Sequence, residues 1–261
     1  MRKLVAIMTC HHKVASANAQ RNTWAKKIVG RGYADVKFFL GRPEQPEYSG
    51  PELDEVWLDV PDDYRGIPLK VKAICQYARD HCYDYVAKCD DDVYVVPERF
   101  KTLPVEPADY VGRFRTPYGN VYPSHFASGF FYWLSNRAAG YVAATPWNGD
   151  WMDERFVATV LARHGITGYS DAVNYQVTGP HTLPPQVLTN DTFRRGTVFC
   201  EYGPAAIHAM HLAMSELRPV QHKYLELVRQ PQVVVTDEIL SSKPNDDVPE
   251  HKRVKRYANR Y

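Results

Sequence analysis

Tyr83-Asp84-Tyr85-Val86-Ala87-Lys88-Cys89-Asp90-Asp91-Asp92-Val93-Tyr94-Val95-Val96 is the stretch on which the fold turns. It reads as a strand, an acidic break and a further short strand, because apolar and β-branched residues flank three consecutive aspartates. Three adjacent carboxylates repel, and each raises its neighbours' pKa unless a cation is present. Alternate strand residues share a face, so Asp90 and Asp92 are expected to address one site and Asp91 another. Oxygen-only ligands suit a hard divalent cation, magnesium or manganese, which also binds phosphate groups. The triplet therefore suggests a site for a metal-bridged nucleotide diphosphate.

Working outward, residues 3–8 (KLVAIM) form a strand apolar enough to be buried, and 14–29 favour a helix. Residues 36–41 and 55–60 read as the second and third strands, separated by a Pro/Glu/Gly loop over 43–52. Residues 68–82 place Leu69, Ala73, Ile74, Tyr77 and Ala78 on one helical face, with Pro68 near the start. Strand and helix thus alternate up to residue 96, which predicts an α/β fold with a mostly parallel sheet covered on both faces. Ligands of such sheets sit beyond the carboxyl ends of the strands, where the triplet falls. In the second half, 126–135 (FASGFFYWLS) is an aromatic-rich strand and 153–165 a helix stopped by Gly165, while 169–187 reads as loop and short strand. The expected organisation is a single domain over 1–240, with a nucleotide-binding half (1–105) and an acceptor-binding half (106–240). A polar, basic tail follows over 241–261.

Composition narrows the classes. The chain has 261 residues with 44% hydrophobic and 24% charged side chains, which excludes wholesale disorder. No apolar run approaches the roughly 18 residues of a membrane helix. The N-terminal apolar stretch, Leu4 to Met8, is too short for a signal peptide. The formal net charge is +2, and residues 243–261 hold six basic and three acidic side chains, so the body is close to neutral. Nucleic acid is therefore not a favoured partner. The five cysteines are odd in number and contain no CxxC. Free thiols and a cytoplasmic setting are expected, without a zinc site.

Further candidates lie around the same sheet edge. Thr9, His11 and His12 follow the first strand, where a nucleotide base would sit. Arg21 and Lys70 are cations suited to neutralising a diphosphate or orienting the nucleotide. Asp150, Asp153 and Glu154 crowd one turn with Trp147 and Trp151. Tryptophans beside a carboxylate stack on sugar faces and raise its pKa toward working pH.

The strand-DDDV-strand block resembles the DxD motif of GT-A glycosyltransferases. Further blocks in order resemble the β-1,3-galactosyltransferase/Fringe-like family: Arg21-Asn22-Thr23-Trp24 (its RxTW element), the VKFFLG strand, Asp59 to Tyr64, Ile67 to Lys70, and Tyr122 to Ser135 through Ser128, Gly129, Tyr132 and Ser135. Asp153-Glu154-Arg155-Phe156-Val157 stands at the family's EDV helix start, with the acidic order exchanged and Ala158 in place of a glycine. The resemblance covers roughly residues 3–212 and points to a soluble bacterial or viral relative. It implies a GT-A-type nucleotide-sugar-binding fold with a central mostly parallel mixed sheet flanked by helices. It also implies metal-dependent, inverting transfer of a hexose (galactose, N-acetylglucosamine or glucose) from a UDP-sugar to a hydroxyl of a glycan acceptor.

In that scheme Asp92 and His208 hold manganese or magnesium. Thr9, Arg21, Lys70, Asp90, Asp91 and Gly129 bind the donor. Glu154 is the base, with Asp153 second and Asp150 third. The loops at 113–125 and 177–200 bind the acceptor. Two alternatives stay open: a viral enzyme that glycosylates a hydroxylated DNA base, and a catalytically silent nucleotide-sugar-binding protein.

Overall fold

The computed structural model describes residues 1–43, 52–103, 105–115, 126–177, 197–200 and 202–216. The expected tail over 241–261 lies outside them, as do most of the two expected acceptor loops and most of the 43–52 loop.

Four parallel strands carry the first half. They are β1 (Lys3–Met8), β2 (Asp35–Arg42), β3 (Glu55–Pro61) and β4 (Tyr85–Asp90). Together with β6 (Tyr110–Arg115), β7 (Phe126–Ser135) and β8 (Tyr169–Ser170) they form one seven-stranded sheet in the order β3-β2-β1-β4-β7-β6-β8. β7 runs antiparallel to both β4 and β6, so the sheet is mostly parallel and mixed, as expected. A small second sheet pairs β5 (Tyr94–Val95) with β10 (Val198–Cys200), and β10 with β9 (Tyr175–Val177).

The continuous apolar run of β1 follows from burial on both faces. Val5 and Ile7 join the core layer that contains Trp24, Ile28 and Phe38, while Leu4, Ala6 and Met8 join the layer that contains Val71, Ile74 and Phe156. The first layer is covered by a helical run comprising α1 (Val14–Gln20), a π-helical turn over Arg21–Ala25 and α2 (Lys26–Gly30). The second is covered by α3 (Ile67–Asp80), α5 (Asn136–Ala144) and α6 (Asp153–Arg163). A short α4 (Pro97–Phe100) follows β5, and α7 (Pro204–Glu216) packs on α1. Gly165 ends α6 with a φ of +68°, the left-handed stop read from the sequence.

Among the described residues, α5 and α7 are helices for which the sequence reading made no allowance. α5 begins without any turn residue after β7. Ser135, the last strand residue, accepts a hydrogen bond from the Ala138 amide (3.1 Å) and so caps the helix. No helix of the described residues is long and apolar enough to cross a membrane. All five cysteines are free thiols.

Candidate functional site

β1 and β4 end level with each other, Met8 opposite Asp90, so Thr9 and the acidic triplet meet at the carboxyl edge of the sheet. The three aspartates have different surroundings there. Asp91 is buried, accepts a hydrogen bond from the Thr9 hydroxyl (3.0 Å) and pairs with the Lys13 ammonium (2.8 Å). Asp90 pairs with Lys88 at 2.6 Å. Asp92 sits in the turn after β4, and among the described residues its carboxylate has no ion pair or hydrogen bond. Burial, then repulsion from Asp90 and Asp91, pushes the Asp92 carboxyl up to about 7.

The expected alternation holds as far as Asp90, which shares its face with Lys88. Beyond β4 the chain turns, and Asp91 swings toward β1. The turn itself is gripped from the helical layer. The Gln20 amide donates to the carbonyls of Asp90 (3.0 Å) and Val93 (2.8 Å), and the Trp24 indole donates to the same Val93 carbonyl (3.0 Å). Trp24 lies in the π-helical turn, a local irregularity that recurs at functional sites. From the other side, the Tyr202 amide donates to the Asp92 carbonyl (2.9 Å).

The start of α6 faces this edge across β7. Asp153 is buried, accepts from the Tyr132 hydroxyl (3.2 Å) and lies 3.4 Å from the Lys88 ammonium. Glu154 is half-buried and lies against Gly129 of β7. A Cβ at residue 129 would stand 3.2 Å from one Glu154 carboxylate oxygen. Burial, then the adjacent Asp153 charge, drives the Glu154 carboxyl up to about 8. The Lys88 side chain, only 4% exposed, also donates to the Gly129 carbonyl. Burial pulls its pKa down, but Asp153 and Asp90 overcome that and leave it raised, so it stays charged. The site thus brings Asp90, Asp153, Glu154 and Gly129 around one ammonium.

Gly129→Ala is expected to press on Glu154 by a few tenths of an ångström. We expect a melting temperature close to wild type, which a thermal melt checks.

The other sequence candidates sit as follows. Lys70 is buried, donates to the Thr9 carbonyl (2.8 Å) and pairs with Asp62 (2.6 Å). Asp62 also accepts from the amides of His11 (2.7 Å) and Gly41 (2.6 Å), so this cluster pins the loop after β1. Arg21 is held by Asp54 through two hydrogen bonds (2.8 and 3.0 Å) and by Glu55 (3.1 Å), and it lies over the Phe38 ring. Among the described residues its contacts are thus with Asn18, Phe38 of β2, Asp54 and Glu55, not with the triplet.

Asp150 is paired with Arg155. Trp151 lies 6.4 Å from the Tyr64 ring, and the Trp147 indole donates to the Asp150 carbonyl (2.7 Å). His208 is exposed on α7. Its neighbour His211 stands 3.2 Å from the Tyr94 hydroxyl, and burial, then Lys27, lowers its pKa to about 4. Among the described residues no group of three or more His, Cys, Asp or Glu side chains is assembled for a metal.

Sequence reasoning passed over Lys88, Gln20 and Lys13. Lys88 had a readable signal, since a lysine inside the buried run YVAKC must find buried partners.

The galactosyltransferase family model matches residues 16–110, a segment that runs from α1 to the start of β6 and contains the triplet. Among curated proteins no relative matches. Among solved structures the chain is similar to a glycosyltransferase involved in the glycosylation of the major capsid of PBCV-1. That likeness has 12% identity and a TM-score of 0.48, and covers 80% of this chain and 99% of that one. The resemblance read from the sequence is thus borne out over residues 16–110, where the chain is similar to the galactosyltransferase family.

Proposed function

We propose that this protein is a metal-dependent inverting glycosyltransferase that moves a hexose from a UDP-sugar to a hydroxyl of a glycan acceptor. The observation that carries the reading is the convergence of two acidic groups distant in sequence. The end of β4 (Asp90 to Asp92) and the start of α6 (Asp153, Glu154) meet around Lys88. A donor motif and a base motif on facing elements are what a single displacement at an anomeric carbon requires.

Glu154 is assigned as the base. It lies against Gly129 of β7, whereas Asp153 is engaged by Tyr132 and Lys88 and Asp150 by Arg155. Glu154 takes the proton of the acceptor hydroxyl. The oxygen then attacks the anomeric carbon from the face opposite the diphosphate. The bond to the diphosphate oxygen breaks, and UDP leaves with the electron pair.

Asp92 fits a hard cation, since it is the one triplet carboxylate without a hydrogen bond or ion pair among the described residues and its only donor atoms are oxygens. One carboxylate with phosphate oxygens and waters suffices for such an ion. His208 is retained as the second protein ligand. Bound manganese or magnesium supplies positive charge to the leaving diphosphate. Thr9, Lys70, Asp90 and Asp91 shape the donor pocket. Five free thiols support a reducing, cytoplasmic setting.

The test is a thermal-shift panel of UDP, UDP-galactose, UDP-N-acetylglucosamine and UDP-glucose, with and without manganese, followed by UDP release with sugar acceptors. A manganese-dependent rise of about 5 °C with one donor is expected at saturating ligand. No shift with any uridine nucleotide overturns the donor assignment. Binding without UDP release favours the silent-binding alternative.

A further inference from the structure

The Lys88 ammonium has three partners, each on a different element: it forms ion pairs with Asp90 at the end of β4 (2.6 Å) and Asp153 at the start of α6 (3.4 Å), and it donates to the Gly129 carbonyl in β7. The side chain is 4% exposed, and its ring neighbour on the same face is Tyr132, 5.9 Å away. Such a site is costly to build. A lysine in a buried strand is among the rarest interior residues, and removing it leaves two buried carboxylates without their shared cation. β4 and β7 are already joined by their backbone ladder, with Lys88 opposite Tyr132, so the ammonium is not needed to hold the sheet together. What it adds is a link from the sheet to α6, and that link ends on the residue next to Glu154.

We propose that Lys88 is a positioning residue that couples the donor pocket to the base. Through Asp90 it senses the nucleotide side, and through Asp153 it fixes the first turn of α6, so that Glu154 points at the acceptor hydroxyl. The inference rests on the assignment of Glu154 and the triplet made above. The charged and titratable groups around this hub include Asp90 and Cys89 on β4, Asp92 in the turn after it, Asp153 and Glu154 on α6, Tyr132 on β7 and Tyr110 on β6.

The experiment is a kinetic comparison of wild type, Lys88→Met and Lys88→Arg, with manganese and whichever of UDP-galactose, UDP-N-acetylglucosamine or UDP-glucose wild type uses. If wild type releases no UDP from any of them and binds none, the functional reading fails and takes this inference with it. With an active wild type, Lys88→Met is expected to lower kcat about 100-fold while changing donor KM less than about threefold. The acid limb of its kcat profile is expected to move up by about one pH unit, because Glu154 loses a nearby positive charge.

A rise in KM with kcat and the limb unmoved overturns the proposal and makes Lys88 a donor-pocket residue only. If Lys88→Met does not fold, Lys88→Arg decides. It keeps the charge and is expected to hold the wild-type acid limb with a loss in kcat smaller than that of Asp153→Asn. An equal loss, or a displaced limb, overturns the coupling.

Discussion

Glu154→Gln is expected to abolish sugar transfer and, in alkaline buffer, to make the folded protein more stable. The loss of activity is expected if Glu154 is the group proposed to take the acceptor proton, a contribution of about 10²–10⁴-fold in rate. The gain in stability follows from linkage. The Glu154 carboxyl rises from its ordinary 4.5 to about 8 on folding, because it is half-buried beside Asp153. Between those values the native state holds a proton that the unfolded chain has released, so stability falls as pH climbs through that window and stays low above it. A neutral glutamine of nearly the same shape carries no such penalty.

The melting temperature of Glu154→Gln at pH 9 is therefore expected to exceed wild type by about 3 °C or more. At pH 4 the two proteins should melt alike. In wild type the same ionisation is expected to set the acid limb of kcat/KM near pH 8. A variant that loses stability at pH 9, or a wild-type profile flat from pH 6 to 9, contradicts the assignment.

Asp92→Ala has the second largest expected effect, and it also separates binding from stability. Asp92 is the triplet member whose carboxylate has no hydrogen bond or ion pair among the described residues, and burial with two neighbouring carboxylates lifts its pKa to about 7. Removing it relieves that crowding, so the ligand-free variant should melt no lower than wild type at pH 8. Manganese-dependent donor binding should weaken by about 100-fold or more, since a hard cation in such a site relies on one or two protein carboxylates. Isothermal calorimetry with UDP and manganese reads the second effect and a thermal melt the first. Unchanged calorimetric affinity for UDP in the presence of manganese removes Asp92 from the metal.

The extent to which sequence disclosed the molecule follows from whether each signal is local. β1, β4, β7 and α6 were legible because each is an uninterrupted run with its own period and stop, Gly165 being the plainest. α5 was not, because its cap is Ser135, a residue that also finishes a strand. α7 was not, because Ala-Ala-Ile-His-Ala-Met-His-Leu-Ala has no apolar stripe distinct from a polar one.

At the site, the triplet and the acidic start of α6 were visible as clusters along the chain. Their meeting was not, because the residue that joins them is a single lysine within a strand. The sequence suggests Arg21 and Lys70 as cations that neutralise a diphosphate or orient the nucleotide, and it does not show their ion-pair partners. Their partners, Asp54, Glu55 and Asp62, are close only after β3 has docked on β2, and no local spacing announces that pairing.

The hydrogen bond from the Tyr202 amide to the Asp92 carbonyl, with the β5–β10 pairing beside it, has a consequence for how the protein is made. β1, β2 and β4 and the helices between them come from the first third of the chain, and these elements can assemble as soon as they leave the ribosome. The turn that carries the triplet is held early by Gln20, Trp24, Thr9 and Lys13, and gains its last hold when residues near 200 return to it, a closure over more than a hundred residues that adds to the entropic barrier and slows folding. The triplet turn is thus expected to be among the last parts of this sheet edge to be completed. A ribosome-stalled chain ending before β10 is expected to have the parallel strands in place and yet to gain no protection from UDP.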